Sequence, residues 1–194
     1  MAGRFEAVPG GGAAVALDEV EISILRSLAV QLMELIGPGD EPAEDADPLA
    51  ALFAEGPSEP PADPALRRLF PDAYGDDTDE LRQAAADFRR YTENDLRTRK
   101  REDAHTVVRS LDALSSEAAG EGGGVLKLTA DESRAWLGAL NDLRLTIGTR
   151  LEVADDDESE RLYRLPDEDP RKPMVMAYLW LGALQESLVE TLLP

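Results

Sequence analysis

The residues that could carry out chemistry are few in kind, because the 194-residue chain has no cysteine and a single histidine, His105. Without cysteine there is no disulfide, thiolate metal ligand, cysteine nucleophile or switch built on the chain's own thiols. Ser110 lies five residues after His105, off the same helical face, so the two do not form a nucleophile–base pair. No nucleophile elbow or metalloprotease signature is present. We therefore expect no catalysis and no cofactor, with His105 at the surface.

Two acidic runs are the candidates for a metal site. Residues 155–158 read Asp-Asp-Asp-Glu, and residues 76–80 contain Asp76, Asp77, Asp79 and Glu80. A calcium loop alternates its oxygen ligands around a glycine and ends in a distal glutamate. Consecutive aspartates point in different directions and do not match that pattern. Solvated acidic loops are favoured, and no metal is expected.

A cluster of basic residues lies on one predicted helix: Arg89, Arg90, Arg97, Arg99, Lys100 and Arg101. Such clustering can mark a phosphate-binding stripe. The same helix also carries acidic residues, and the whole chain has 40 acidic against 20 basic residues, a net charge of −20. A polyanion repels nucleic acid and anionic membranes. The pattern favours a salt-bridged, solvated face and disfavours direct DNA binding.

The helix predicted over residues 129–153 organises the fold. Thr129 and Glu132 have the spacing of a capping box. The residues that share its apolar face, and are predicted core, are Trp136, Leu140, Leu143, Ile147 and Leu151. Two glycines inside it, Gly138 and Gly148, indicate that another backbone packs close.

Three short segments are predicted to form a small antiparallel sheet. Residues 4–8 and 13–17 flank Pro-Gly-Gly-Gly and read as a hairpin. No Lys-Ser/Thr follows these glycines, so a phosphate-binding loop is not favoured. Residues 125–128 supply a third strand, because an isolated hairpin is marginal in water.

A first helix is predicted from Asp18 and Glu21 to a stop at Gly37-Pro38. Its core face is built from Ile24, Leu25, Leu28 and Leu32, within a stripe that starts at Val20. The next stretch, residues 37–63, is rich in proline and acid and is predicted to be flexible. It contains a short helix at residues 48–54, and Asp63-Pro64 starts another that ends at Phe70-Pro71.

A long helical stretch is predicted over residues 79–118. Its two buried faces comprise Leu81, Ala85, Phe88, Tyr91 or Thr92, and Leu96, followed by Val107, Val108, Leu111 and Leu114. Residues 97–103 have no apolar side chain and should meet water, as a protruding mid-helix or a break into two helices. The i,i+4 charge pairs favour one continuous helix.

The last helix, predicted over residues 174–192, is apolar nearly all round, which indicates burial on several sides. A homodimer interface is the alternative. Its longest uncharged run, residues 173–184, is too short to span a bilayer. The N-terminal residues lack the apolar region of a signal peptide, so we expect a cytoplasmic protein.

Together these elements predict a mainly α fold with a small antiparallel β-sheet, the N-terminal hairpin plus one strand near 125–128. The helices form a bundle around two central apolar helices. Residues 1–194 make a single domain that contains the flexible segment 37–63.

Four groups of residues resemble the AosR family of actinobacterial proteins, long labelled a domain of unknown function. The groups are Gly10-Gly11-Gly12 with residues 15–17 and 21–28; Asp63-Pro64 with residues 68–74; Phe88-Arg89-Arg90 with residues 92–93 and 95–97; and Trp136 with residues 141–145 and 148–151. The resemblance runs in order over almost the whole chain.

The resemblance implies a regulator of oxidative-stress transcription that acts through an alternative sigma factor. Family members are often encoded beside the protease adaptor ClpS and genes of cysteine synthesis, and a cysteine-based redox response is implied for them. This chain departs from that pattern because it has no cysteine.

We therefore predict a non-enzymatic regulator that contacts a sigma factor or RNA polymerase. The alternative is a helical module linked to ClpS-dependent proteolysis, without a transcriptional role. The candidate partner-binding residues are Arg67, Arg68, Phe70, Tyr74, Arg89, Arg90, Arg97, Arg99, Asn141, Asp142, Arg144 and Arg150.

Overall fold

A computed structural model describes residues 3–38, 56–117, 122–153, 162 and 164–193. In these residues the chain forms five helices and a three-stranded antiparallel sheet, which confirms the predicted fold class. The strands are β1 (Glu6–Ala7), β2 (Ala13–Asp18) and β3 (Gly123–Leu128). The helices are α1 (Glu19–Ile36), α2 (Pro64–Leu69), α3 (Asp79–Glu117), α4 (Ala130–Arg150) and α5 (Lys172–Leu192). The helix predicted at 48–54 and the acidic run at 155–158 lie outside the described residues.

The sheet is organised by β2, which lies between β1 and β3. Ala13 lies opposite Leu128, and the inward-facing Val15 and Leu17 join the core. The turn between β1 and β2 requires glycine at position 12. Gly12 has a φ of 112°, and a Cβ there would collide with the carbonyl oxygen of Leu128.

Two strands continue directly into capped helices, as predicted. The Asp18 side chain accepts a hydrogen bond from the Glu21 N–H at 2.8 Å, and the Asp18 N–H donates to the Glu21 carboxylate at 3.0 Å. Thr129 and Glu132 repeat this arrangement at the start of α4. Each box satisfies N–H groups that have no partner inside the helix.

The core is organised around α4, which packs against both α3 and α5. The predicted stripe on α4, from Trp136 to Leu151, is buried throughout. The Trp136 indole N–H donates to Ser110 Oγ at 3.0 Å, and its ring meets Phe5 edge-on with centroids 5.8 Å apart. The side chains that α5 buries are Val175, Leu181, Leu184, Ser187 and Leu188. A homodimer through the rest of α5 stays a prediction.

The predicted core face of α1 is partly wrong. Val20 and Ile24 are exposed, and the buried residues are Ile22, Leu25, Ala29, Leu32 and Ile36. The apolar spacing of α1 fits either face, and its packing against α3 decides between them.

The glycines of α4 make room for side chains and not, as predicted, for another backbone. A Cβ on Gly138 would meet the Asp103 carboxylate of α3, and a Cβ on Gly148 would meet the Tyr178 ring of α5. α4 is therefore held close to both neighbours, one contact polar and the other aromatic.

Candidate partner-binding surface on α3

Two helix C-termini converge on the N-terminal half of α3. Arg97 Nη1 donates to the carbonyl oxygen of Ile36, the last residue of α1. Arg89 Nη2 donates at 2.9 Å to the carbonyl oxygen of Phe70, which caps α2. Terminal carbonyls of a helix lack intrahelical donors and carry partial negative charge, so arginine is well suited to them.

Acidic groups balance these two arginines inside the protein. Glu93 forms ion pairs with Arg89 and with Arg97, the latter at 2.7 Å, and Asp72 Oδ1 accepts from Arg89 at 2.9 Å. The Arg97 guanidinium also lies 4.4 Å from the centre of the Phe70 ring. Arg89 and Glu93 are only 4% and 3% exposed. We call Asp72, Arg89, Glu93 and Arg97 the ion network.

The ion network raises the pKa of the Arg89 guanidinium. Burial alone would lower the pKa of its guanidinium, but the hydrogen bonds and charges of Asp72 and Glu93 outweigh burial and raise that pKa. The group therefore stays charged. Its Nε is buried and has no hydrogen-bond partner among the described residues.

The continuous α3 predicted from the charge pairs is confirmed, and so is its second buried face, formed by Val107, Val108, Leu111 and Leu114. The first predicted face is wrong except at Ala85. Phe88, Tyr91 and Leu96 were expected in the core and are 48%, 68% and 37% exposed. The expectation that residues 97–103 leave the core holds only in part. Thr98, Arg99 and Glu102 are exposed, but Arg97 bonds to Ile36 and Lys100 Nζ pairs with Asp142 at 2.6 Å. The carbonyls at the ends of α1 and α2 need donors, so arginines turn inward and the apolar side chains turn outward.

The outward side chains form an exposed cluster that we call the α3 patch: Tyr74, Phe88, Tyr91 and Leu96. The Tyr74 and Phe88 rings meet edge to face with centroids 6.2 Å apart. Beside them, a small cleft of ≈ 50 Å³ opens between residues 70–73 and α3. That volume holds roughly the end of one apolar side chain.

The predicted site residues fall into two places. Phe70, Tyr74, Arg89 and Arg97 come together around the α3 patch, although Phe70 and Arg89 are buried beneath it. Arg90 lies two residues after Phe88, on another side of the helix. Nearby, the remaining predicted arginines of α2 and α3 are exposed: Arg67, Arg68 and Arg99. The sequence analysis missed Phe88, Tyr91 and Leu96 as surface residues.

The polar residues predicted on α4 lie elsewhere and bind other parts of the chain. Arg144 donates to Gln185 at 2.6 Å and lies 5.2 Å from the Tyr178 ring, while Asn141 also contacts Gln185. Arg150 donates at 2.7 Å to Asp63, the residue that caps α2. These contacts fix α4 to α5 and α2, and a partner-binding role for Asn141, Asp142, Arg144 and Arg150 stays a prediction.

A second polar cluster lies where α3 crosses α4. Asp142 is 2% exposed, and burial raises the pKa of its carboxyl, although Lys100 opposes that shift. Burial also raises the pKa of Asp103, and the negative charge of Asp142 adds to that rise. The ion pair between Lys100 and Asp142 links the two helices but presents little surface to a partner.

Two structural tests bear on other classes of site. Within the described ranges, no three or more histidine, aspartate or glutamate side chains are grouped so that they could hold a metal ion. No described helix has the length and apolar character needed to cross a bilayer. His105 is exposed on α3.

Comparison with known proteins decides the family. The profile of a family described as "Domain of unknown function (DUF2017)" matches residues 2–192. The chain belongs to this family. No solved structure matches it.

Mycobacterial relatives carry a functional name. "Oxidative stress regulator AosR" of Mycobacterium tuberculosis (strain ATCC 25618 / H37Rv) is 31% identical over 176 residues, which are 89% of this chain and 78% of that protein. "Putative oxidative stress regulator AosR" of Mycobacterium leprae (strain TN) is 34% identical over 176 residues, 89% of this chain and 79% of that protein. The resemblance found in the sequence is confirmed, and the names of the relatives support a regulatory role.

Proposed function

We propose that this chain regulates an oxidative-stress response by binding another protein, without catalysing a reaction. The α3 patch carries this proposal. Soluble proteins rarely leave several large apolar side chains together on the surface, and such patches mark contact sites. Tyrosine and phenylalanine are also enriched at the centres of protein interfaces.

The charge around the α3 patch favours a basic partner. Asp95 is exposed and lies seven residues from Phe88 on the same helical face, and the exposed Asp72 lies two residues from Tyr74. The occupant that fits is a protein segment with apolar side chains flanked by lysine or arginine, which the net charge of −20 would attract. We propose a sigma factor or RNA polymerase as the source of that segment, in keeping with the family resemblance.

The ion network gives this surface a fixed underside. Arg89 holds Phe70 and Asp72 against α3, so one wall of the cleft is tied to the helix that forms the other wall. A binding surface that is already ordered loses less conformational entropy when its partner arrives. We therefore assign Arg89 and Arg97 a positioning role under the surface.

The second candidate is a binding module that serves ClpS-dependent proteolysis. The same patch could receive a protease adaptor, because apolar contact and charge attraction do not by themselves specify a partner. The identity of the captured protein separates the two candidates.

The test is affinity capture from an actinobacterial lysate with the tagged full chain. We expect recovery of a sigma factor with RNA polymerase, and at least about tenfold less with the Phe88→Ser/Tyr91→Ser variant, since loss of two interface anchors costs more than 1.4 kcal/mol. Val125→Ser is the matched control, because Val125 is an apolar side chain that is 57% exposed on β3, and Phe88 is 48% exposed.

Three results would count against this proposal. Equal capture by the wild type and the double variant would remove the α3 patch from the interface. Recovery of protease subunits without polymerase would favour the second candidate. A tight, site-specific mobility shift of DNA by the protein alone would replace protein contact with direct DNA binding.

A further inference from the structure

A groove lies between the N-terminal parts of α1 and α5. It measures ≈ 550 Å³ and is lined by Glu21, Ile24, Pro173, Met176, Ala177 and Trp180. Apart from Glu21, whose carboxylate is engaged in the α1 cap, these are apolar or aromatic residues.

Two exposed methionines lie near the start of α5, and one of them, Met176, lines this groove. Met174 and Met176 are 44% and 49% exposed, whereas Met33 is partly buried against the core. Oxidation of a sulfur-containing side chain follows its exposure, and the chain has no cysteine to compete for an oxidant. These two thioethers are therefore the most accessible sulfur groups of the described residues.

An unsatisfied donor belongs to Trp180, one helical turn after Met176. The indole Nε1 of Trp180 is buried and has no hydrogen-bond partner within the described part of the chain. Met176 and Trp180 are four residues apart on α5 and line the same groove, so their side chains are neighbours on one helical face. A thioether is a poor acceptor for an indole N–H, but a sulfoxide oxygen is a strong one.

We propose that Met176, together with Met174, is an oxidant-responsive modification site. Once Met176 is oxidised, the indole N–H of Trp180 donates a hydrogen bond to its sulfoxide oxygen. A lone pair of the thioether sulfur attacks one oxygen of hydrogen peroxide, and the O–O bond breaks. The departing hydroxide takes the proton of the hydroxyl group now bound to sulfur and leaves as water. The sulfur loses two electrons and becomes a sulfoxide, and the peroxide is reduced.

The oxidation changes the character of the groove. An apolar side chain becomes polar, and its new oxygen lies within one helical turn of the unsatisfied indole N–H. A hydrogen bond between them would fix the Met176 side chain and make the groove less apolar. Sulfoxide reductases reverse this chemistry, so the site can be reset. The inference rests on the proposed function only for its signal, oxidative stress, since the chemistry needs peroxide alone.

The experiment treats the full chain with hydrogen peroxide and locates added oxygen by peptide mass spectrometry. We expect Met174 and Met176 to gain oxygen about tenfold faster than Met33, because they are more exposed. The indole N–H resonance of Trp180, assigned with the Trp180→Phe variant, should move downfield as Met176 is oxidised. Treatment with methionine sulfoxide reductases should return it.

Met176→Leu is the matched variant, because leucine keeps the apolar volume and cannot be oxidised. Its Trp180 resonance should not respond to peroxide, although Met174 is still oxidised. Two results would overturn the inference: Met33 oxidised as fast as Met174 and Met176, or a Trp180 shift of the same size in Met176→Leu. Neither measurement depends on partner capture, so failure of the proposed function would leave this result unaffected, and the reverse also holds.

Discussion

The N-terminal half of α3 and the α4–α5 seam bury opposite kinds of side chain. At the seam, α4 buries Trp136 and leucines, and its polar side chains reach the edges. On α3, Arg89 and Glu93 are buried, and Phe88 and Tyr91 are exposed. The difference lies in what the neighbour presents, because α5 offers apolar side chains while α1 and α2 offer C-terminal carbonyls.

The two regions also differ in what they contribute. Burial of apolar side chains at the seam stabilises the fold directly, at roughly 25 cal/mol per Å². A buried ion network roughly offsets the cost of desolvating its own charges. Its main consequence is geometric, since it holds two helix ends against α3 and leaves the α3 patch outside.

The largest loss of folding stability is expected for a substitution at Trp136, in the core stripe of α4. Trp136→Ala removes a fully buried ring and its hydrogen bond to Ser110, and should lower the free energy of unfolding by about 3–5 kcal/mol. Urea denaturation measures it. Phe88→Ala, at a half-exposed ring, should change stability by less than about 1 kcal/mol. Similar losses at both positions would erase the contrast between the two regions.

A smaller loss is expected when the ion network is broken at its centre. Glu93→Ala leaves Arg89 and Arg97 without their shared carboxylate, and should cost about 3 kcal/mol in urea denaturation. The triple variant Arg89→Met/Glu93→Leu/Arg97→Met removes all three charges and should be more stable than Glu93→Ala. If the triple variant is the less stable one, the bonds to Ile36 and Phe70 matter more than charge balance.

The smallest effect on stability is expected at Asp142, the carboxylate where α3 crosses α4, and this effect depends on pH. The pKa of Asp142 is raised, so its contribution to stability is greatest at low pH and is lost as pH rises through the folded pKa. Asparagine mimics the protonated acid, so Asp142→Asn should gain stability relative to wild type between about pH 4 and pH 7.

Asp63→Asn is the control for Asp142→Asn, because the pKa of Asp63 is shifted in the opposite direction. Burial would raise the pKa of Asp63, but backbone N–H groups and Arg150 more than reverse this and lower it, so its contribution is lost as pH falls. Asp63→Asn should therefore lose stability relative to wild type as pH rises from about 2 to about 5, the range in which the wild-type carboxyl ionises. Equal slopes in urea midpoints for the two variants would contradict the assignment of either pKa shift.

The elements of this fold were predictable because their signals are local. Both capping boxes, the glycine-containing hairpin and the continuity of α3 depend on residues within a few positions of each other. The α4 stripe was also correct, since a single apolar face leaves one way to pack it. The family resemblance followed from the same segments.

The orientation of α1 and of the N-terminal half of α3 was not predictable from periodicity, because each has two plausible faces, whereas the buried face of the C-terminal half of α3 was predicted correctly. On α3 the choice depends on carbonyls at residues 36 and 70, which are distant in sequence. One signal was available: Arg89, Glu93 and Arg97 recur every four residues, with small Ala85 before them. A charged stripe of that regularity beside alanine indicates an internal network as well as a solvated face.

The pairing of β2 with β3 has a consequence for how the chain folds during its synthesis. It brings Ala13 beside Leu128, and Phe5 bonds to Ser187 near the other end of the chain. Contacts between such distant positions raise the contact order, which slows folding. On the ribosome, β2 emerges long before β3, its neighbour in the sheet, so the inward side chains of β2 wait for a partner that is made much later. Apolar surface that is exposed in this way during synthesis is the kind that chaperones bind.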